Sequence, residues 1–410
     1  MTSVKNSDVY WLGKVASDWE IVPAWRVMTE RREKSLPDDV HLTPSQTHGV
    51  LPQKEYMDRT GNKVVLNLAG ADNMKRVCAG DFIIHLRSFE GGIEASTIDG
   101  KVSNAYTVLT PAPDAHFDYY RWFMKSVPLI EGLASSTDQL RDGQSINFSR
   151  FSRLSLPLPP LETQQRIADY LDRETAEIDA AVADLDKYVE LLEKRKLSRL
   201  ESALHDVNYR MCPVGLIANV TLGKMVSTTP PKSGGVERQY LRAAHVQPGG
   251  RIDFAVTEKK MWFSEKELER LDLRSGDVVV VEGGAGFGRS AYLEYDLEGW
   301  GFQNSINRVR VDPSKADSRF VQLMLNRALL NGSIGISVDT ATLPHFTAEK
   351  LARFRIPVCD IQNQKAISQE IYEDQLATDS LIAESTKLRD LLLKRRSVLI
   401  TEVVTGRKQV

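Results

Sequence analysis

Residues 156–167 read Leu-Pro-Leu-Pro-Pro-Leu-Glu-Thr-Gln-Gln-Arg-Ile, and residues 356–367 read Ile-Pro-Val-Cys-Asp-Ile-Gln-Asn-Gln-Lys-Ala-Ile. The two stretches share their first proline, one glutamine and the final isoleucine at an offset of 200 residues. The match continues without a gap to Leu200 and Ile400. A register held over such a distance indicates an internal duplication. Upstream the offset changes to 196, as in Gly80-Asp81 and Gly276-Asp277, so the upstream parts have diverged by insertion.

A long helix is predicted after each of these stretches. No Gly or Pro occurs from Glu162 to about Leu204 or from Gln362 to about Thr405, and Gly406 then stops the second helix. Apolar residues recur in both segments at alternating steps of four and three, which is the a/d seam of a coiled coil. We predict helix-pairing roles for Ile178, Val182, Leu185, Val189 and Leu192 in the first helix, and for Ile371, Ile382, Leu388, Leu392 and Leu399 in the second. The second seam is weaker, because polar Thr378 and Ser385 occupy two of its positions.

The two helices are predicted to pair with each other. A single apolar stripe is more often a helix lying on its own domain, but a helix of about 43 residues is on the order of 60 Å long and exceeds the width of such a domain. The chain leaves along one helix and returns along the other, so the pair should be antiparallel, with a globular domain at each end and a pseudo-twofold axis between them. The predicted fold class is therefore α+β, with two mixed α/β domains separated by two long antiparallel helices that form a coiled coil.

Four segments follow from this interpretation: a globular domain over 1–155, a helix over 156–206, a second globular domain over 207–355 and a second helix over 356–410. The globular segments contain short strand-like runs and one clear helical pattern each. Predicted strands are Val64 to Leu68, Phe82 to Leu86, Tyr106 to Leu109, Val278 to Val281 and Ile306 to Val311, and predicted helices are Tyr119 to Ser126 and Arg319 to Leu330.

Composition excludes several classes of protein. With 410 residues, 42% hydrophobic and 26% charged, the chain can form two or three hydrophobic cores and is not disordered throughout. No aliphatic run approaches the roughly 18 residues of a membrane span, so we expect a soluble, cytoplasmic protein. Cys78, Cys212 and Cys359 are too scattered for a disulfide framework or a zinc site, and no metal site is predicted. The net charge of −2 means that any DNA binding must use charge sorted onto one face or a more basic partner.

Three motifs that superficially suggest catalysis lack the residues which that chemistry needs. The loop Gly283 to Gly288 follows a strand, but no helix and no acidic residue about 20 positions on complete a dinucleotide site. Leu158-Pro159-Pro160-Leu161 lacks the amide and the aromatic ring with which adenine methyltransferases hold a flipped base. Asp253, Glu258 and Lys260 have poor spacing for a metal-dependent nuclease and are better explained as a solvated charge cluster. We therefore predict no catalytic residues and no cofactor in this chain.

The duplicated stretch, followed in each copy by a long helix, resembles the conserved spacer regions of specificity subunits of type I restriction-modification enzymes. The opening Trp11-Leu12-Gly13 with Asp18-Trp19-Glu20, and the two Gly-Asp strand starts, are also similar to that family. Together these features cover almost the whole chain. The second copy departs from the family pattern by having Cys359-Asp360 in place of Pro-Pro.

This resemblance implies a non-catalytic DNA-recognition subunit with two target recognition domains, each of which reads one half of a bipartite DNA sequence. The helices would set the spacing of the half-sites and dock two modification subunits. S-adenosylmethionine, ATP and magnesium would belong to the modification and restriction subunits. The sequence specifies neither the target bases nor their spacing.

Candidate DNA contacts follow from side-chain chemistry, because Arg, Asn, Gln and His suit base edges whereas Lys and Arg suit phosphates. An ordinary surface role is at least as common for each such residue. The candidates are Lys75, Arg76, Arg87 and Asn104 in the first domain and Arg289, Asn304, Asn307, Arg308 and His345 in the second.

Two other hypotheses remain open at the level of sequence. A self-contained DNA adenine methyltransferase would bind S-adenosylmethionine without a partner. A coiled-coil adaptor without a DNA role would agree with the nearly neutral net charge, and it would show no salt-dependent DNA binding even in an assembled complex.

Overall fold

The computed structural model describes residues 3–64, 74–136, 146–205, 207–232, 234–337 and 344–410. They form two compact units, one made of residues 1–186 with 386–410 and the other of residues 187–385. Each long helix therefore contributes one part to the first unit and the other part to the second. Among the described residues, no helix combines the length and the apolar character that crossing a membrane requires.

The described residues up to the end of the first long helix form twelve short strands and six α-helices. The strands are β1 (Val4–Asn6), β2 (Lys14–Ala16), β3 (Glu20–Pro23), β4 (Met28–Glu30), β5 (Leu42–Ser45), β6 (Gly49–Pro52), β7 (Lys75–Val77), β8 (Phe82–Ile84), β9 (Glu94–Ala95), β10 (Gly100–Val102), β11 (Thr107–Pro111) and β12 (Ser155–Leu158). The helices are α1 (Gln53–Thr60), α2 (Ser88–Gly91), α3 (Phe117–Phe123), α4 (Val127–Ser135), α5 (Phe148–Phe151) and α6 (Leu161–His205).

The rest of the chain contains nine strands and six helices among its described residues. The strands are β13 (Arg210–Pro213), β14 (Ala218–Leu222), β15 (Val236–Leu241), β16 (Lys260–Phe263), β17 (Val278–Val281), β18 (Ser290–Tyr292), β19 (Gly301–Phe302), β20 (Ile306–Val311) and β21 (Arg355–Val358). The helices are α7 (Val214–Ile217), α8 (Glu265–Arg270), α9 (Ser318–Leu330), α10 (Ser333–Ser337), α11 (Ala348–Arg353) and α12 (Ile361–Val404).

The central sheets confirm the internal duplication. Each has four strands, in the order β4-β11-β8-β9 in the first unit and β14-β20-β17-β18 in the second. All neighbouring strands in both sheets are antiparallel. A two-stranded ribbon also precedes each long helix, β3 with β12 and β13 with β21. The predicted mixed α/β class of the globular parts is confirmed.

The predicted elements of the globular parts agree with the structure to within a few residues. The strand over 278–281 and the start and end of the strand over 306–311 are as predicted, whereas the strand at Phe82 ends at Ile84. The helix expected at Tyr119 begins at Phe117. Most of the predicted strand from Val64 to Leu68 lies outside the described residues.

Both hydrophobic cores include residues of both long helices. In the first unit, Ile167 and Leu171 of α6 pack with Leu399 and Val403 of α12 against aromatic residues of α3 such as Tyr119. In the second unit, the end of α6 and the start of α12 complete the core in the same way, through Leu200, Leu204, Ile367 and Ile371. Neither globular domain closes its core without the helices.

The repeated glutamine joins each helix to its domain. Gln164 Oε1 accepts a 2.7 Å hydrogen bond from the backbone N–H of His116, and its Nε2 donates to the carbonyls of Asp114 and Pro159 at 2.9 and 2.8 Å. Gln364 accepts from the N–H of Asp317 at 2.8 Å and donates to the carbonyl of Cys359 at 2.8 Å. Both side chains are fully buried, so each glutamine satisfies backbone groups that water cannot reach.

The helices run antiparallel in each unit. In the first unit, Asp179 pairs with Arg396 at 2.8 Å and Asp186 with Arg389 at 3.3 Å, so the residue numbers rise on α6 as they fall on α12. In the second unit, Arg195 pairs with Asp374 at 2.6 Å and Arg199 with Glu370 at 2.7 Å, which shows the same direction. The predicted antiparallel pairing is thus confirmed.

Burial along the seam agrees with most of the predicted helix-pairing residues. Ile178, Leu192, Ile371 and Leu399 are buried, and so are the polar seam residues Thr378 and Ser385. Five further residues are half-buried: Val182, Leu185, Val189, Ile382 and Leu392.

Leu388 lies off the seam, with 49% of its surface exposed. The seam position that corresponds to Val189 is Arg389, one residue later, and one residue turns an α-helix by about 100°. Arg389 uses that position to pair with Asp186. The apolar pattern of the sequence predicts Leu388 as the seam residue, whereas in the structure the cation Arg389 occupies the seam position.

The chain after α12 is held against the first strands of the first unit. Gly406 has φ +69°, and a Cβ atom there would lie within 3 Å of side-chain atoms of Ala16 and Trp19. The next residue, Arg407, donates hydrogen bonds to the carbonyls of Lys14 and Leu12 at 2.9 and 2.8 Å. The predicted helix stop at Gly406 is therefore also a close packing contact.

Replacing Gln164 by Ala should lower the free energy of unfolding by about 2–4 kcal/mol, because it leaves buried backbone groups of three residues without partners. Thermal or chemical denaturation measures this. Gln165→Ala is the matched control, since Gln165 is exposed and bonds only the side chain of Asp169 among the described residues. Equal stability of the two variants would contradict the role assigned to Gln164.

Candidate nucleic-acid interface

In the first unit, the predicted contacts lie at one end of the central sheet. β8 ends where β11 begins, because Ile84 pairs with Thr107. Arg87 follows the first of these strands and Asn104 precedes the second, so both belong to the same end. The opposite end of β11 leads to the His116 segment that Gln164 holds. One end of the sheet therefore carries candidate contacts, and the other is fastened to the helix.

Arg87 is presented on a turn with several fixed hydrogen bonds. The N–H of His85 donates to the Ser88 hydroxyl at 2.9 Å, and the N–H of Ser88 donates to the His85 carbonyl at 3.2 Å. The Arg87 N–H donates to His85 Nδ1 at 3.3 Å, whereas the Arg87 side chain itself is 74% exposed. Because the backbone of this turn is already ordered, a contact through Arg87 would cost side-chain entropy but little backbone entropy, which suits recognition.

Lys75 and Arg76, on β7, are engaged within the unit. Lys75 Nζ donates to the Tyr106 carbonyl at 2.7 Å and lies 3.9 Å from a carboxylate oxygen of Glu30. Arg76 lies 3.8 Å from a carboxylate oxygen of Glu33. Both side chains are about a quarter to a third exposed. The two residues therefore lie at the edge of this surface, and only part of each side chain is accessible.

In the second unit, three chain segments meet at the equivalent end of the sheet. β17 ends where β20 begins, since Val281 pairs with Ile306. The N–H of Glu282 donates to the Ser305 carbonyl at 2.9 Å, and the N–H of Phe346 donates to the Glu282 carbonyl at 2.7 Å. This network places three predicted contacts at that end: Arg289, Asn304 and His345.

The Glu282 carboxyl lies beside the His345 imidazole at this surface. His345 Nδ1 lies 4.0 Å from Glu282 Oε1, and the His345 side chain is 57% exposed while that of Glu282 is mostly covered. The pKa of the Glu282 carboxyl is raised above its ordinary value, because the effect of burial exceeds the opposing effect of the nearby His345. The pair offers one exposed imidazole beside a covered carboxylate.

Asn307 and Arg308 were predicted as contacts, but both lie inside the second unit. Asn307 is 0% exposed and donates from Nδ2 to the Phe346 carbonyl at 2.8 Å. Arg308 is 5% exposed and donates to the backbone and carboxylate oxygens of Asp272 at 2.6 and 2.7 Å. β20 is covered on both faces, so polar residues along it are structural. We leave these two residues out of the candidate surface.

The motifs that suggested catalysis have structural explanations here. The glycine-rich loop joins β17 to β18, which pair antiparallel, so its one short 3-10 turn is part of a strand-to-strand connection and opens no crossover helix. The Pro160 carbonyl accepts hydrogen bonds from the first turn of α6. Asp253 accepts from the N–H of Ala255, and Glu258 accepts from Gln239, so these carboxylates serve local contacts.

Two exposed side chains of this surface were not singled out from the sequence. Gln46 and His48 lie in the turn between β5 and β6, and Gln46 Nε2 donates to the Arg87 carbonyl at 3.0 Å. A short polar turn between two strands was the available signal, but only the fold brings it beside Arg87. Together Gln46, His48 and Arg87 can donate and accept hydrogen bonds as the edges of base pairs require.

Comparison with known proteins supplies an independent line of evidence. A family model described as the type I restriction modification DNA specificity domain matches residues 47–184. The StySPI specificity subunit, a type I restriction enzyme subunit of Salmonella potsdam, is 24% identical over 266 residues, which are 61% of this chain and 55% of that protein. The putative MjaX specificity subunit of Methanocaldococcus jannaschii is 22% identical over 281 residues, 65% of this chain and 62% of that protein. The match thus spans between half and two thirds of the length of these relatives.

Solved structures agree in fold. A chain from a study of assembly and conformational transition of the type I R-M system superposes with a TM-score of 0.71 at 14% identity, covering 96% of this chain and 99% of the other. The HsdS subunit of Thermoanaerobacter tengcongensis gives a TM-score of 0.52 at 13% identity, with 96% and 98% coverage.

Arg308→Ala should reduce the stability of the chain by about 1–3 kcal/mol, because it removes a buried side chain and one of the three arginines that pair with Asp272 among the described residues. Arg289→Ala, at a half-buried arginine of the candidate surface, should change stability by less than about 0.5 kcal/mol. Chemical denaturation of both variants measures the difference. A larger loss for Arg289→Ala than for Arg308→Ala would reverse the assignment of the two arginines.

Proposed function

We propose that the chain, which is similar to the specificity subunits of type I restriction-modification systems, is the DNA sequence-recognition subunit of such a complex. The observation that carries this proposal is the duplicated arrangement described above. Each unit has a sheet with exposed polar residues at one end and a helix fastened by a buried glutamine at the other. Two similar surfaces in one chain suit a DNA target with two halves.

The proposed contact set follows the structure of each unit. In the first unit it comprises Arg87 and Asn104, with Lys75 and Arg76 at its edge and Gln46 and His48 added. In the second unit it comprises Arg289, Asn304 and His345. Arginine and the amide side chains suit the major-groove edges of guanine and adenine, so these residues would read bases. Phosphate contacts by other cations would position the duplex.

We propose no catalytic role for the chain. The carboxylates Asp253 and Glu258 are held in separate local contacts, which supports a charge cluster and not a metal-dependent nuclease. Methyl transfer would belong to two modification subunits that carry S-adenosylmethionine. ATP-dependent translocation and cleavage, with magnesium, would belong to restriction subunits. The complex would act in the cytoplasm, where its DNA substrate lies.

The functional division of the chain is proposed as residues 1–155 and 207–355 for recognition and residues 156–206 and 356–410 for spacing and partner docking. A chain with a net charge of −2 has little general attraction to the DNA backbone, so most of that affinity would come from the partner subunits. This supports assigning partner docking to the helices.

Mapping adenine methylation in cells that carry this chain and its modification subunits should reveal a split motif with a fixed gap. Exchanging residues 1–155 for the corresponding domain of a relative should change one half of the motif and leave the other half and the gap intact, because each unit builds its own surface. Arg87→Ala should relax the same half only. Methylation by the isolated chain with S-adenosylmethionine would instead favour a self-contained methyltransferase.

Removing one heptad from both helices tests the spacing role. Residues 180–186 and 389–395 face each other in the first unit, as the pair Asp179–Arg396 just outside the two segments and the pair Asp186–Arg389 at their other end indicate. Their joint removal keeps the seam in register and shortens the pair by about 10 Å, equivalent to roughly three base pairs. The gap in the methylated motif should shrink accordingly while the bases read stay the same. A changed half-site with an unchanged gap would refute the spacing role.

A further inference from the structure

The second unit contains an open cavity of about 510 Å³ beside the candidate surface. Its wall carries four cationic side chains from three elements of the fold. They are Arg327 of α9, Lys350 and Arg353 of α11, and Arg355 of β21. The chain has a net charge of −2, so four cations around one cavity form a locally concentrated positive charge. DNA binding by this chain requires such a local concentration.

Two of the four cations have carboxylate partners. Arg327 pairs with Glu201 at 2.6 Å, and Arg353 pairs with Glu349 at 2.8 Å. Arg355 donates to the Met211 carbonyl at 2.9 Å, and Lys350 Nζ lies 3.4 Å from the His345 carbonyl, so among the described residues these two contacts are to neutral oxygens. Four cations against two carboxylates leave an excess of two positive charges at the cavity.

The remaining wall strengthens an interaction with an anion. Phe346 and Phe354 supply an apolar surface, and the hydroxyls of Ser333 and Ser337 line the same cavity. An apolar wall lowers the local dielectric constant and so strengthens attraction between the cations and an entering anion. The planar guanidinium of Arg355 can donate two hydrogen bonds to a single phosphate group.

The cavity is joined to the candidate surface through a single short segment. His345, a proposed base contact, precedes Phe346 of the cavity wall, and Lys350 bonds back to the His345 carbonyl. Asn307 fixes this segment by its hydrogen bond to the Phe346 carbonyl. An anion in the cavity would therefore lie next to whatever His345 contacts.

The internal duplication provides separate support. Lys350 and Arg353 of α11 correspond, at the offset of 200 residues, to Arg150 of α5 and to Arg153, which lies two residues after the end of α5. Two basic residues three positions apart are thus present in the short segment before each long helix, although only in the second copy do both lie on a helix. Retention in both halves agrees with a task that both half-sites share, such as holding the DNA backbone.

We propose that this cavity binds a backbone phosphate of the DNA, next to the bases that His345 and its neighbours read, with Lys350 and Arg355 as the principal contacts. The inference rests on the proposed DNA-recognition function. In this proposal the cavity contributes to DNA affinity and fixes the position of the protein along the duplex, but it does not discriminate between bases. An acidic segment of a partner protein is the competing occupant, and the experiment below separates the two.

The test uses the full chain assembled with its modification subunits, and it measures DNA affinity by fluorescence anisotropy over a series of KCl concentrations. Lys350→Ala and Arg355→Ala should each weaken binding by roughly three- to tenfold, equally for cognate and unrelated duplexes, and should lower the salt slope by about one. The methylated motif should stay unchanged. Lys315→Ala is the matched control, because Lys315 is exposed, pairs with Asp312 and follows the opposite end of β20.

Each alternative outcome has its own signature. Unchanged affinity and slope in both variants, with wild-type DNA binding intact, would overturn the phosphate site while leaving the proposed function standing. Weaker assembly with the modification subunits, together with wild-type DNA affinity and salt slope once excess modification subunit restores the complex, would assign the cavity to a partner protein. Absence of DNA binding by the wild-type complex would instead defeat the proposed function itself. Thermal melting checks that the variants are folded, and Lys350→Gln provides a second variant that keeps most of the side-chain length.

Discussion

The buried contact between each globular domain and the two long helices is the constraint on which the rest of this fold depends. A domain of this size has a limited core, and in both units residues of α6 and α12 complete it. Gln164 and Gln364 then fix the angle at which a helix leaves its domain, because each satisfies backbone groups on both sides of that junction. A helix that is part of the core cannot swing freely, so the direction of each helix is set by the packing of the domain that it serves.

In the two copies, interactions occur at corresponding positions but are often formed by different residue types. Asp172 of α6 accepts hydrogen bonds from Arg121 and Trp122 of the first domain, whereas the equivalent Tyr372 of α12 stacks on Arg319 of the second, with 4.2 Å from the guanidinium to the ring centre. The pair Asp179–Arg396 has Asp379–Lys196 as its counterpart. The buried Asp81 and Asp277 both bind an arginine with two hydrogen bonds, but Arg31 follows β4 while Arg310 belongs to β20. Such replacements use different interactions at corresponding positions, while the strand order of the two central sheets stays the same.

The candidate surfaces show which DNA-contact residues can be predicted from side-chain chemistry alone. Four of the predicted contacts flank strands that were also predicted, and the pairing of those strands in the structure brings them to one end of each sheet: Arg87, Asn104, Arg289 and Asn304. Asn307 and Arg308 satisfied the same chemical criterion, yet their side chains serve the interior of the second unit. Gln46 was overlooked because its neighbour Arg87 is far along the chain. Donor and acceptor chemistry identifies candidates, but burial decides which of them reach the surface.

The sequence by itself determined the duplication, the two long helices and their pairing, because these features repeat with fixed spacing and depend on local periodicity. It also determined the mixed α/β class and the two inner strands of each central sheet, since short β-branched runs between turns are a local signal. Only the tertiary structure decided that Arg389 and not Leu388 faces the partner helix, that a glutamine fastens each helix to its domain, and that four cations surround one cavity. These outcomes depend on contacts between residues distant in the chain, and no local pattern encodes which side chain a neighbouring element will cover.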